Sequence, residues 1–189
     1  MLKLSQNKTF NQKQLQNLSN ILPFLTCHQI NNETNIILSS NNLLFSLNCL
    51  KHHIGQQYTL LTCISGIDFL GKDYRFSVVY DLLSLTYSSR LRIKIFIDAL
   101  TVVSSSISVF INANWWEREI WDLFGIYFDK HLDLRRILSD YGFEGNPLKK
   151  DFPLSGFSEL RYDESKKRIV VEPLELSQEF RSFSFEIPW

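Results

Sequence analysis

The stretch that most limits how this chain can fold is Asn114–Arg136, NWWEREIWDLFGIYFDKHLDLRR. It crowds Trp115, Trp116 and Trp121 among Glu117, Arg118, Glu119 and Asp122. A solvated loop would not carry three indoles so close together, and a plain core helix would not carry those charges. Whatever buries the rings must also pair the charges, because an unpaired buried charge is expensive. At 100° per residue, Trp116, Ile120, Trp121, Leu123 and Phe124 share one broad arc, and Glu117 falls inside it. A carboxylate in an apolar wall must be paired or protonated. Arg135 or Arg136 is its expected partner, and Arg118 with Asp122, four apart, can pair within the helix.

The 189 residues suit one compact domain with an arm, large enough to bury a core. The 20 basic and 20 acidic residues cancel, so neither nucleic acid nor an anionic surface is a general partner. No apolar run reaches the length of a spanning helix. The N-terminus has neither a signal-peptide core nor an Arg-rich transit pattern, so the mature chain is expected to start close to Met1. Cys27, Cys49 and Cys63 are sparse and odd in number, as in a reducing compartment, and form no Cys-x-x-Cys pair. His52 and His53 lack the i, i+4 spacing of a helical metal site. The scarcity of Gly and Pro beside abundant Asn, Ile, Leu, Phe, Ser and Lys fits an AT-rich genome such as an organelle's.

Taken in order, residues 9–22 predict a helix, with a Thr9/Gln12 capping box and Leu15, Leu18 and Leu22 on one face. Asn31-Asn32 signals a turn, and Thr34–Leu38 a short strand. Leu43, Leu47, Leu50 and Ile54 mark a helix over 42–54, ended by Gly55. Strands follow at Tyr58–Ile64, Tyr74–Tyr80 and Leu91–Ile97, the last two joined by a hairpin with its tip at Ser88-Ser89. Val103–Phe110 predicts a short helix and Ala113–Phe124 a firmer one stopped by Gly125. Arg168–Val171 and Phe180–Ile187 read as extended. The fold class expected is α+β: a two-layer domain over residues 1–125, with helices on a small mixed or antiparallel sheet. The Trp-rich helix closes it, and residues 126–189 form a long extended arm without a core of its own. An apolar stretch that long and irregular is better explained as a docking surface than as a free tail.

Two carboxylates among Glu117, Glu119 and Asp122 could do acid–base work. No Ser, His or Cys nucleophile or phosphate loop stands beside them, so an ion network ordering the helix is the stronger reading. His131 beside Asp133 reads as a turn anchor rather than a catalytic pair. No catalytic, cofactor-binding or metal-binding residue is assigned. The alternatives left open are a free-standing acid–base enzyme and a binding module of another complex.

The runs NWWEREIWDLFGIYFDKHLDLRRIL, DYGFEGNPLKKDFPLSGF and ELRYDESKKRIVVEPLELSQEFRSFSFEIPW resemble one family of peripheral-arm proteins in respiratory complex I, the NADH:ubiquinone oxidoreductase. Its members are known as subunit 9 when they are encoded in mitochondria. The likeness is densest over residues 113–189 and fades toward residue 58. The family motif falls on Trp115, Glu117, Arg118, Glu119, Asp122, Gly125, His131, Asp133, Arg135, Arg136, Gly145, Pro147, Asp151, Pro153, Glu172, Pro173, Phe180, Arg181 and Trp189. Three departures stand out: Leu132 where the family has proline, Asn146 where it has histidine and Lys149 where it has arginine.

The resemblance implies a structural and assembly subunit of the quinone-reducing module, supporting electron transfer from NADH to ubiquinone coupled to proton translocation. FMN, iron–sulfur clusters and ubiquinone would lie elsewhere in the complex. Implied partners are the large subunit of the quinone cavity and the small subunit with the terminal iron–sulfur cluster. The implied location is the matrix side of the mitochondrial inner membrane.

Overall fold

A computed structural model describes residues 22–23, 25–30, 33–176, 178 and 181–187. The helix predicted over 9–22 lies, but for Leu22, outside the described residues. Strands β1 (Thr26–Ile30) and β2 (Glu33–Leu38) pair antiparallel, and the turn expected at Asn31-Asn32 lies outside the described residues. A 3-10 turn at Ser40–Asn42 leads into α1 (Leu43–His52). Strands β3 (Leu60–Asp68), β4 (Phe76–Ser84) and β5 (Ser89–Ile97) follow as an antiparallel meander.

The sheet order is β1-β2-β5-β4-β3, with β2 and β5 parallel and the other pairs antiparallel. The one parallel pair follows from the crossover through α1, β3 and β4, since a tight turn cannot join parallel strands. The β4–β5 turn occupies residues 85–88, and Ser89 already pairs with Ser84, so the tip sits earlier than its Ser88-Ser89 signal.

Period-two alternation decides which face of the sheet is covered. Leu91, Ile93, Ile95 and Ile97 are buried while Arg92, Lys94 and Phe96 between them are half-buried. The buried set joins Phe76, Val78, Tyr80 and Leu82 of β4, Ile36 and Leu38 of β2, and Leu43, Leu47 and Leu50 of α1 in one core. Burying each large aliphatic side chain contributes about 1.5–3 kcal/mol, which makes this core the main source of stability.

Helix α2 (Ala113–Phe124) lies on β3 at the same face. Its close approach is possible because position 66 has no side chain: a Cβ there would fall 2.7 Å from the Phe124 ring. Gly125, at φ 73°, caps the helix with its N–H on the Trp121 carbonyl. The helix predicted over 103–110 does not form. Val103–Ser104 is instead β6, pairing in parallel with β7 (Phe128–Asp129). The Val103 and Ser105 amides donate to the Tyr127 and Asp129 carbonyls, so the backbone is drawn into a ladder that no local pattern announces. Beyond residue 151 a second hairpin forms, β8 (Ser158–Asp163) with β9 (Arg168–Pro173). Residues 181–187 join no described strand pair.

Candidate functional site

Three buried carboxylates organise the region around α2. Glu117, with no solvent-exposed side-chain surface, accepts four contacts from two other segments. The Ser105 hydroxyl donates to Oε2 at 2.6 Å. The Ser106 amide and hydroxyl donate to Oε1 at 2.7 and 2.6 Å. His131 Nε2 lies 3.9 Å from Oε2. The arginine partner expected for Glu117 is absent. Arg118 instead donates through Nε to the Arg135 carbonyl at 3.2 Å and lies against the Trp115 ring. Arg135 turns outward to Asp133. The expected Arg118–Asp122 pair does not form either. Hydroxyl and amide donors from the 105–106 turn, which follows β6, take the place expected of an arginine at Glu117. The Ser104–Ser106 run beside apolar sequence was the one available sign of them.

Asp122 is equally buried and is held as an anion in a cradle of donors. Its Oδ2 accepts the amides of Ile137, Leu138 and Ser139 at 3.2, 2.8 and 2.8 Å. Its Oδ1 accepts from the Ser139 hydroxyl and from Arg136. Burial works to raise the carboxyl, and the Ser139 hydroxyl with the three amides outweighs it, leaving it below the usual aspartate value. Arg136 also donates to the Gly145 carbonyl at 2.9 Å. Asn146 reaches the end of the helix, donating to the Asp122 carbonyl at 2.9 Å. Next to Pro147, the Leu148 amide donates to the Leu123 carbonyl. The departure from histidine at 146 therefore leaves a donor that caps α2. Gly145, at φ 94°, fits under Phe152, whose ring a Cβ would meet at 2.8 Å.

The third carboxylate, Asp68 at the end of β3, was not foreseen. Arg75 grips it with two bonds of 2.9 and 3.0 Å and also reaches Asp151 at 2.8 Å. The Lys150 amide adds a bond of 2.8 Å. The Arg75 bond, against the opposing effect of burial and with help from the Lys150 amide, holds Asp68 below the ordinary range. Asp122 and Asp68 together fasten residues 136–151 to the domain.

The remaining motif residues scatter. Trp115 is 69% exposed, contrary to its expected place in a buried cluster. It lies in the first turn of the helix. Glu119 is half-buried and makes no hydrogen bond or ion pair among the described residues. Pro153 is exposed, and its carbonyl accepts the Gly156 amide. Glu172 pairs with Arg161 across the β8–β9 hairpin, where Pro173 lies opposite Ser158. Arg181 is exposed, and Phe180 and Trp189 lie outside the described residues.

This arrangement orders the segments packed around α2. The Asp122 carboxylate is consumed by its donors, and Glu117 faces serines rather than solvent. A cleft of about 270 Å³ on the sheet is lined by Glu33, Cys63, Asp81, Arg90 and Arg92 and contains none of Glu117, Glu119 and Asp122. Cys27, Cys49 and Cys63 are all free thiols. Among the described residues no group of three or more His, Cys, Asp or Glu is placed to hold a metal ion, and no helix is long and apolar enough to cross a membrane.

Residues 36–158 match the family described as respiratory-chain NADH dehydrogenase, 30 kDa subunit. The chain belongs to that family. It is 52% identical over 157 residues to the NADH-ubiquinone oxidoreductase subunit 9 of Reclinomonas americana, covering 83% of this chain and 77% of that one. It is 49% identical over 172 residues to the NADH dehydrogenase [ubiquinone] iron-sulfur protein 3 of Oryza sativa subsp. japonica, covering 89% and 90%. The corresponding protein of Beta trigyna is 53% identical over 152 residues, covering 80% and 79%. A chain from the structure of the membrane-bound sulfane sulfur reductase, an archaeal respiratory membrane complex, shares the fold at a TM-score of 0.65 and 18% identity, covering 75% of this chain and 85% of that one. The 30 kDa subunit is thus a component of complex I, NADH:ubiquinone oxidoreductase of the respiratory chain, and its partners are other subunits of that complex.

Proposed function

We propose that this 30 kDa subunit supports and helps assemble the quinone-reducing module of complex I without carrying a redox centre. FMN, the iron–sulfur clusters and ubiquinone sit on other subunits. Its neighbours are the large subunit that forms most of the quinone cavity and the small subunit with the terminal iron–sulfur cluster. Its place is the matrix side of the mitochondrial inner membrane, in the peripheral arm. Residues 126–189 act as the docking arm of a domain over residues 1–125, its first part stapled down through Asp122 and Asp68.

The observation that carries this reading is the β8–β9 hairpin. Leu160 pairs with Val171 and Tyr162 with Ile169, so all four share one face, and each is more than half exposed. The charged residues Arg161 and Glu172 take the other face and satisfy each other. A two-stranded ribbon is marginal alone, and one with its apolar face in water calls for a partner. Phe183, Phe185 and Ile187 add an exposed apolar stripe beyond it.

The test is purification through a tag on this chain from mitochondria, with cross-linking to map neighbours. The expected result is co-purification with an NADH-oxidising, quinone-reducing complex, with cross-links from residues 158–187 to the quinone-cavity and terminal-cluster subunits. Recovery with a different complex, or cross-links only from the 1–125 domain, would contradict it.

A further inference from the structure

Helix α2 carries one buried cation without a counter-charge. Arg118 is nine-tenths buried. Its Nε donates to the Arg135 carbonyl at 3.2 Å, and among the described residues its two Nη nitrogens meet no acceptor. The guanidinium lies 5.8 Å from the centre of the Trp115 ring. A carbonyl and a ring face offset part of the cost of burial, but an arginine is rarely buried this deeply without a carboxylate.

The carboxylates nearest in sequence are committed elsewhere or make no pair with it. Glu117 is held by Ser105 and Ser106, and Asp122 by Arg136, Ser139 and three amides. Glu119 forms no ion pair among the described residues, and Asp133 pairs with Arg135. Residues 1–32 contain no Asp or Glu, and one further acid, Glu179, lies outside the described residues. The surface beside this cation is apolar. Two contacts lay the 131–135 segment along the helix: His131 Nε2 is 3.2 Å from the Asn114 carbonyl, and Arg118 reaches the Arg135 carbonyl. Trp115 falls between those anchor points, and its ring is largely exposed, as are Leu132 in the segment and Ile111 just ahead of the helix.

We propose that another subunit of complex I sets an Asp or Glu side chain on Arg118, with apolar side chains around it that cover Trp115 and Leu132. The inference rests on this chain's place in complex I and adds a contact separate from the β8–β9 hairpin. Charge complementarity selects the occupant: an unmatched guanidinium edged by apolar side chains fits a carboxylate carried on an apolar surface, and its planar fork can hold both carboxylate oxygens. Tryptophan and arginine are also the side chains that most often anchor protein interfaces. A second copy of this chain docked through the same face would bring a like cation to Arg118 and leave both unmatched.

The experiment uses complex I assembled around an Arg118→Lys chain and a carbodiimide, which joins an amine to a carboxylate that it touches. Mass spectrometry of the linked peptides is expected to show position 118 joined to an Asp or Glu of another complex I subunit. A link to Glu179 or any other acid of this chain, a link to a second copy, or no link at position 118 overturns the proposal. The second arm is competition between wild-type and Arg118→Met chains for entry into the complex. The variant should be recovered about tenfold less than wild type. Its Tm as a free full-length chain should stay within about 3 °C of wild type, because no internal ion pair is lost. Equal recovery overturns the proposal, as does a fall in Tm large enough to account for the loss. Equal recovery of Arg118→Met beside failed entry of a chain lacking residues 177–189 would remove this contact alone and leave the docking of the C-terminal stretch standing.

Discussion

Glu117 shows how little a residue's type says about its partner. Its burial follows from its place on the helix wheel, but its counterpart is a pair of serines rather than an arginine. Glu117→Ala should destabilise the chain by about 3–5 kcal/mol, because it strands three buried donors that are matched to a carboxylate. Differential scanning calorimetry would show a fall in Tm of roughly 6–20 °C for a chain of this size. An unchanged Tm would mean that the side chain is not buried.

Asp68 and Asp122 set a pH dependence whose sign follows from their lowered folded-state values. A carboxylate that is more acidic when folded stabilises the fold fully above the unfolded aspartate value of about 3.9. That contribution is lost as pH falls through the lowered folded values. Denaturant midpoints should therefore hold steady down to about pH 4.5 and fall below it. In an Asp68→Asn/Asp122→Asn double variant they should be lower at neutral pH and fall less steeply under acid conditions. An equally steep acid loss in the double variant would show that other carboxylates set the dependence.

Among the elements, α2 was the most legible in the sequence, and its bounds of 113–124 coincide with the pattern that ends at Gly125. Period-two alternation likewise located β5, and β4 within a few residues. The β6–β7 ladder, strand β1 and strand β8 were not foreseen. Val103–Ser104 and Phe128–Asp129 are too short for any periodicity, and they pair across 25 positions of sequence. The Asp122 cradle was hidden for a related reason: three consecutive backbone amides supply it, and backbone donors carry no side-chain signature. Isolated glycines were equally silent. Gly66 carries no motif, yet it sets how closely α2 approaches β3. Gly66→Ala should cost about 1–3 kcal/mol through overpacking against Phe124, read as a lower urea midpoint with an unchanged m-value. A neutral result would show that the Phe124 ring moves aside.

For the whole molecule, the division of labour is between a covered core and an uncovered periphery. The core satisfies itself through α1, α2 and one face of the sheet. The segment up to residue 151 is tied down through carboxylates, while the hairpin and the stretch past residue 181 present apolar faces to solvent. Replacing Leu160, Tyr162, Ile169 and Val171 together by threonine keeps strand preference while removing most of the apolar face. That variant should fold by circular dichroism and fail to enter complex I. Deleting residues 177–189 and following the chain on a native gel tests whether the C-terminal stretch docks this subunit into complex I. The truncated chain should keep a folded N-terminal domain and migrate free of the NADH-oxidising band. Full incorporation of the truncated chain into that band would contradict it.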